Sequence, residues 1–454
     1  MALKHKFGLA FGLAGFYLVN LALAAVFINL ENHPNSIFQL NSPTENLVVT
    51  AVAVLLLLIV QLALNGYSVY SSVKNEPKIE FYPTVPENLT VEDRHWGKYT
   101  PEQLQSIVKK VSQNANQQVR SAFIGTEVIP RITSYNFRGP VLYINSNLLH
   151  VCAARELEAA IAGELGYTKG RLSSLATYLN YHSKSFLAPL YLIPLFFHLR
   201  AMVLTWFNSA PYTFTANRVI TQVFVLIGLI LAISVVWNVH ELFIKAANRS
   251  VQYMADEEGA RLVGKRNMIN MLVKLGQRTE ALDVLLEEVK WLESLQWGKI
   301  YSFDEERLLE VLPFFPPNEL SEEKARQMAP TIFLRARLSN LRHFYHLDLP
   351  EVEDKIEEAA AKLRKQRVEY LEEAKKKAKD AGQPMPEEVG TIDWRHADKD
   401  GNLDLDDDEI EHFVELLQED HKKLLFENEV AQNALFRRRL PINKRILAVY
   451  HLNL

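Results

Sequence analysis

Four long apolar stretches constrain this chain more than any other feature. They run from Phe7 to Leu30, Leu47 to Tyr70, Phe186 to Phe207 and Val219 to Val239. A helix needs about 20 predominantly apolar residues to cross a bilayer, and each stretch has that length. The second contains "AVAVLLLLIVQLAL" and the fourth "FVLIGLILAISVVW". Pro189, Pro194, His198 and Arg200 interrupt the third. That pattern predicts a kinked helix whose Arg200 reaches an interface.

The first stretch has the outline of a signal peptide. Lys4 and Lys6 precede it, and "ALA" at 22–24 resembles a cleavage site. Its apolar run exceeds the usual signal core of roughly 7–15 residues, so it reads as a retained helix. Within it, "GLAFG" sets small residues four apart, a spacing that lets helix backbones approach closely in lipid.

Lys and Arg set the expected orientation, because cytoplasmic loops carry the excess of them. "ENHPNSIFQLNSPTEN" has neither, and "NSAPYTFTAN" has none before Arg218. The segment between the second and third stretches carries Lys74, Lys78, Lys109, Lys110, Lys169 and Lys184. The expectation is an integral membrane protein, embedded in the lipid bilayer, with both termini in the cytosol.

Composition narrows the function classes. A chain of 454 residues holds two or three domains. Its 50 basic and 54 acidic residues give no overall attraction to nucleic acid, so no nucleic-acid partner is expected. Cys152 is the only cysteine. That excludes an intramolecular disulfide and a cysteine-based zinc site.

Between the second and third stretches, "GPVLYINSNLL" alternates around apolar residues and opens with Gly-Pro, which reads as a strand. "AARELEAAIAGELGY" follows, with Leu157, Ala160, Ile161 and Leu165 at helical spacing. Beyond the fourth stretch, "AANRSVQYMADEEGARLVGKRNMINMLVKL" is again helical.

In this order of elements, the chain resembles the HtpX-type membrane zinc peptidases over about residues 1 to 275. Two N-terminal spans come first, then the "VLYINSNLL" strand, then "ELEAAIAGELGY" where that family carries H-E-x-x-H. "RSVQYMAD" stands where the family has R-x-x-E-x-x-A-D. In the family, two His four apart on one helix face and a later Glu hold Zn²⁺, with water in the open position. The Glu after the first His is the general base.

The resemblance places those functions on residues that mostly cannot perform them. Gly163 stands at the first His, Tyr167 at the second and Gln252 at the third ligand; only the base, Glu164, is kept. A glycine has no side-chain donor, and Gln is a neutral amide. A phenol with a pKa near 10 is seldom ionised at neutral pH. Without zinc, a bound water returns from a pKa near 7 to about 15.7, a loss of roughly 12 kcal/mol of acidification. No zinc is expected, and Glu164 is a vestigial base. The resemblance also implies a substrate cleft beside an exposed strand edge at Leu142–Asn147, where backbone pairing holds an extended partner.

The tail lies outside the resemblance. "EVEDKIEEAAAKLRKQRVEYLEEAKKKAKD" is strongly helical and charged. Val352, Ile356, Ala360 and Leu363 form a narrow apolar stripe that suits a coiled-coil partner or docking on its own chain. After the break "AGQPMPEEVG" comes "HADKDGNLDLDDDE", which resembles an EF-hand-type calcium loop. With Gly401 at the sharp turn, His396 takes the first position and Leu403 is the apolar anchor. Asp398, Asp400, Asn402, Asp404 and Asp407 are then the candidate calcium ligands. Against calcium stand His396 where Asp is usual, Asp407 where a longer Glu usually closes the site, and the absence of the second loop with which EF-hands commonly pair. The acidic residues also suit a helix N-terminus.

The expected architecture is a mainly α membrane protein of four transmembrane helices, with a cytosolic α+β zincin-like domain and a helical C-terminal extension. Residues 1–72 hold two transmembrane helices. Residues 73–185 are the first part of the zincin-like domain, 186–240 two further spans, and 241–280 its second part. Residues 281–390 are a charged helical extension, and 391–454 the acidic loop and terminal helix. The expected function is that of an inactive pseudopeptidase acting as scaffold, adaptor or regulator of a membrane-protein partner. The alternatives are an active metallopeptidase with an unconventional site and a calcium-responsive membrane sensor.

Overall fold

The computed structural model describes residues 2–30, 43–75, 78–81, 96–125, 132–136, 139–177, 216–297, 310–345, 353–380, 391–419, 423–427 and 440–454, with a few single positions between 179 and 203. The described elements are mostly helices with one small sheet. In chain order they are α1 (Ala2–Leu30), α2 (Pro43–Asn75), β1 (Lys78–Glu80), α3 (Pro101–Asn114), β2 (Ser121–Gly125), β3 (Ile132–Asn136) and β4 (Pro140–Asn145). Next come α4 (Ser146–Val151), α5 (Ala154–Thr168), α6 (Ala216–Val263) and α7 (Lys265–Trp297). The tail forms α8 (Glu322–Tyr345), α9 (Glu353–Asp380), α10 (Asp407–Glu419) and α11 (Ile442–Tyr450). The chain divides into two compact units. One comprises Met1–Glu76, Tyr135–Arg138 and Gly166–Met254; the other comprises Pro77–Ser134, Gly139–Leu165 and Ala255–Leu454.

The first unit is helical. Its first two expected spans lie within the continuous helices α1 and α2. The 48 residues of α6 reach about 72 Å at about 1.5 Å per residue. Among the described residues, one helix is long and apolar enough to cross a membrane, Val223–Val263. The third expected span, 186–207, lies almost wholly outside the described residues.

Small residues set the approach of α1 to α6. A Cβ placed on Gly12 would lie 2.7 Å from the Ala247 backbone nitrogen and 2.8 Å from the Phe243 carbonyl oxygen. Leu9, Leu13 and Phe16 close the contact against Ile244, Ala247 and Val251. The backbone of α6 cannot yield as a side chain would, so Gly12→Leu is expected to push the helices apart. Overpacking of this kind costs about 1–3 kcal/mol and should lower the melting temperature of the detergent-solubilised chain. Gly66→Leu on α2, where nothing lies within 4 Å, should leave it unchanged.

The second unit is built on a four-stranded sheet of order β1-β2-β4-β3. β1 runs antiparallel to β2 with Ile79 opposite Ile124, and β2 runs parallel to β4 with Phe123 opposite Tyr143. Every residue of β4 is buried. The expected strand edge at Leu142–Asn147 is therefore absent: β4 has a neighbour on each side, and Asn147 is buried in α4. "PVLYIN" reads as a near-continuous apolar run, the pattern of a strand covered on both faces.

One core joins the sheet to distant parts of the chain. Leu104 of α3, Ile124, Leu142 and Ile144 of the sheet, Leu157, Ile161 and Leu165 of α5, and Leu272 of α7 meet Phe413, Leu417, Ile446 and Val449 of the tail. α3 starts in a reciprocal cap. The Thr100 hydroxyl accepts from the Gln103 N–H, and the Gln103 side chain accepts from the Thr100 N–H.

α7, α8 and α9 form a further cluster around Leu285, Val289, Phe315, Ala329 and Phe333. The apolar stripe of α9 docks on its own chain: Ile356 and Ala360 are buried and Leu363 packs against this cluster. Val352 lies outside the described residues. The Arg367 guanidinium forks onto Glu288 with bonds of 3.0 Å and lies 4.9 Å from the Trp291 ring.

Candidate functional site

The helix that carries the sequence motif is α5, and charged groups fix its start. The Glu156 carboxylate accepts from the Ala153 N–H at 2.7 Å and pairs with Lys274 of α7 at 2.6 Å, both buried. Glu158 pairs with Lys110 of α3 at 2.5 Å and with Arg155 at 2.9 Å. Farther along, the Gln117 side chain donates to the Leu165 carbonyl at 3.0 Å. Together these bonds hold α5 between α3 and α7.

Gly163 is buried and Glu164 half-buried on this helix. A Cβ on Gly163 would lie 3.6 Å from the Met268 methyl and 3.7 Å from the Ala255 carbonyl oxygen. At Gly259 the approach is tighter: a Cβ there would meet the Gly163 nitrogen at 3.3 Å, the Ala159 oxygen at 3.1 Å and the Met268 sulfur at 2.9 Å. Gly259 thus lets the end of α6 approach α5, and Met268 lies in ordinary van der Waals range of the Gly163 position.

Tyr167 and Gln252 belong to the other unit. Tyr167 packs against the apolar cluster of Leu9, Leu13, Ile244 and Val251. Gln252 is 2% exposed on α6. At the end of the same "RSVQYMAD" segment, Asp256 is buried and held by Arg445 of α11 through two bonds, Nε to Oδ2 at 2.8 Å and Nη2 to Oδ1 at 2.7 Å. Sequence reading missed Lys274 and Arg445, since each lies more than 100 positions from its carboxylate.

The profile of peptidase family M48 matches residues 99–315. That stretch is an M48-like domain. No curated protein and no solved structure matches the chain. M48 domains are metallopeptidase-like, so the fit of a catalytic metal can be tested on the residues present. A metal needs deprotonated or neutral donors aimed at one point. Gly163 provides none, with the Met268 methyl 3.6 Å from where its Cβ would stand, Tyr167 is a phenol packed against an apolar cluster, and Gln252 is a neutral amide. These residues do not fit zinc.

Cys152, within the M48 domain, is fully buried, and burial pushes its thiol up to about 12. It is no candidate nucleophile, because reactivity belongs to the thiolate.

The acidic tail loop has a different geometry from the one its spacing suggests. Carboxylate oxygens of Asp398, Asp400 and Glu409 lie within 4.8 Å of one another. Asp404 and Asp407 are outside that group, and Asn402 donates to the Asp400 carboxylate at 2.6 Å. Asp407 is exposed and is the first residue of α10. Asp404 pairs with Arg266 of α7 at 3.2 Å. The buried anchor is Leu405 rather than Leu403, which is 39% exposed. Asp406 and Glu409 cap α10 reciprocally: the Glu409 N–H donates to Asp406 at 2.8 Å and the Asp406 N–H to Glu409 at 3.0 Å. Beginning the loop at Asp398, instead of His396, would have found Glu409 at position twelve.

A second acidic group joins Glu280 of α7, Glu322 of α8 and Glu427, with carboxylate oxygens within 4.8 Å. Burial, then the neighbouring Glu322 charge, push the Glu280 carboxyl up to about 8. The Glu427 N–H donates to it at 2.5 Å.

Proposed function

We propose that the chain is a degenerate, HtpX-like member of the M48 group that has lost peptidase chemistry and acts as a membrane-anchored scaffold or regulator of a membrane-protein complex. The observation that carries this reading is Gly163. A position that must supply a metal donor has no side chain, and Met268 lies in van der Waals range of it. Glu164 remains as a base with no acidified water to act on, and a lone carboxylate cannot supply the roughly 12 kcal/mol that a metal provides.

Membrane anchoring is supported by the apolar surface of α6. Phe224, Ile227, Leu231 and Val235 are each more than a third exposed, and an apolar band of that size in water would drive association. In a bilayer it faces hydrocarbon instead. The four-span topology with cytosolic termini rests on the Lys/Arg asymmetry of the loops, and a bacterial inner membrane is what the resemblance to the HtpX-type peptidases implies. With β4 inside the sheet, a partner does not pair along Leu142–Asn147.

Purified chain supplied with zinc should leave an unfolded substrate such as casein intact. Cleavage that a chelator stops and that Glu164→Gln abolishes would overturn the reading.

A further inference from the structure

The acidic loop after Trp394 carries features that the M48 domain does not account for. One is an orphaned oxygen. Asp398 is 9% exposed, its Oδ2 accepts from the Leu403 N–H at 3.1 Å, and its Oδ1 has no hydrogen-bond partner. A buried carboxylate oxygen without a partner is a cost that a cation removes. The same carboxylate belongs to the group formed with Asp400 and Glu409. Three negative charges so close repel one another unless a cation lies among them.

The spacing of these carboxylates along the chain is that of a hard-cation loop. Counted from Asp398, the loop has twelve residues and ends at Glu409. Carboxylates stand at positions one, three and twelve, as in oxygen-ligand loops for Ca²⁺. Position six, where such loops need a glycine for the sharp turn, is Leu403. It adopts φ of +63°, a left-handed conformation that a leucine rarely takes. Position eight, Leu405, is buried in the core shared with the M48 domain.

Such loops commonly pair with a second one, and this chain has one. The polar backbone of Leu405 is nevertheless satisfied. The Leu405 N–H donates to Asn270 Oδ1 at 2.8 Å, and Asn270 Nδ2 donates to the Leu405 carbonyl at 2.9 Å. Asn270 is buried on α7, two residues from Met268, which lies in van der Waals range of the Gly163 position. One side-chain amide thus does what the backbone of a partner loop would do. Arg266 on the same helix reaches Asp404 at 3.2 Å.

We propose that Asp398–Glu409 is a Ca²⁺ site with Asp398, Asp400 and Glu409 as its charged ligands, and that Asn270 couples its occupancy to the M48 domain. On binding, Glu409 turns its carboxylate from the N–H groups of Lys399 and Asp406, which it caps at 2.8 Å and 3.0 Å, toward the cation. Mg²⁺ is the weaker ligand, because it demands a compact octahedron and gives up water reluctantly.

The test uses the full chain in detergent, stripped with a chelator and titrated calorimetrically with Ca²⁺ and, separately, Mg²⁺. One saturable Ca²⁺ site and a rise in melting temperature are expected. Asp400→Asn should abolish both; in the stripped protein it removes one of three mutually repelling charges, so the melting temperature there should not fall. Asn270→Leu should weaken Ca²⁺ binding by about tenfold, the usual scale for an outer partner of a ligand loop. No heat and no thermal shift up to millimolar Ca²⁺ would overturn the proposal, as would binding that Asp398→Asn and Asp400→Asn leave intact. Undiminished affinity in a folded Asn270→Leu chain would overturn the coupling.

Discussion

Replacing Arg445 by methionine is expected to destabilise the folded chain by about 3–5 kcal/mol, the scale for stripping one partner from a buried ion pair. Asp256 is 1% exposed, and Arg445 satisfies both of its oxygens in fork geometry. Without the guanidinium, a buried carboxylate remains uncompensated. The double variant Asp256→Asn/Arg445→Met should recover part of the loss, because the two side chains couple directly. Denaturant unfolding of the detergent-solubilised protein reads both. An Arg445→Met chain as stable as one carrying a change at its neighbour Lys444 would show that α11 does not anchor the M48 segment.

The second large effect depends on pH. Glu280 sits among Glu322 and Glu427, and burial raises its carboxyl from the ordinary 4.5 to about 8. Between those values the folded chain keeps a proton that the unfolded chain has released. Its contribution is therefore complete below pH 4.5 and is lost as pH rises through about 8. Glu280→Gln supplies a permanent neutral acceptor for the Glu427 N–H. It should stabilise the protein at neutral pH by something on the order of 2–4 kcal/mol, with little effect near pH 4.5. Melting temperatures measured across this range should fall with pH in the native chain and stay flatter in the variant. Parallel curves would contradict the protonated-cluster account.

Local signals were legible in the sequence where local chemistry decides the outcome. Helix α1, the small-residue stripe at Gly8 and Gly12 and the strand before the motif helix follow from periodicity and residue size, whereas the apolar stripe of α9 suited a coiled-coil partner equally well and only its packing shows that it docks on its own chain. The M48 match at 99–315 agrees with the motif order. Strand order was not legible, because nothing in "PVLYIN" says which strands flank it. Its unbroken apolar run pointed inward, yet the expectation of an exposed edge overrode that signal. Register failed in the acidic loop for a related reason. The spacing puts Gly401 at the sharp turn, whereas Gly401 and Leu403 both adopt positive φ. Leu403, as the turn residue, shifts the ligand frame by two positions and exchanges Asp407 for Glu409. Lys274, Asn270 and Arg445 act across more than 100 residues of chain. Packing of α7 against α5 reveals Lys274, and packing of the tail onto that core reveals Asn270 and Arg445.

Loss of the metal donors is the central claim, and equilibrium zinc binding tests it most directly. Chain purified in detergent, dialysed against buffered free zinc and washed, should hold far less than one zinc per molecule by elemental analysis. Glu164→Gln should not change that value, since Glu164 is the base and not a ligand. One tightly held zinc per chain, retained through washing, would contradict the account and return Gly163, Tyr167 and Gln252 to the surroundings of a working metal centre.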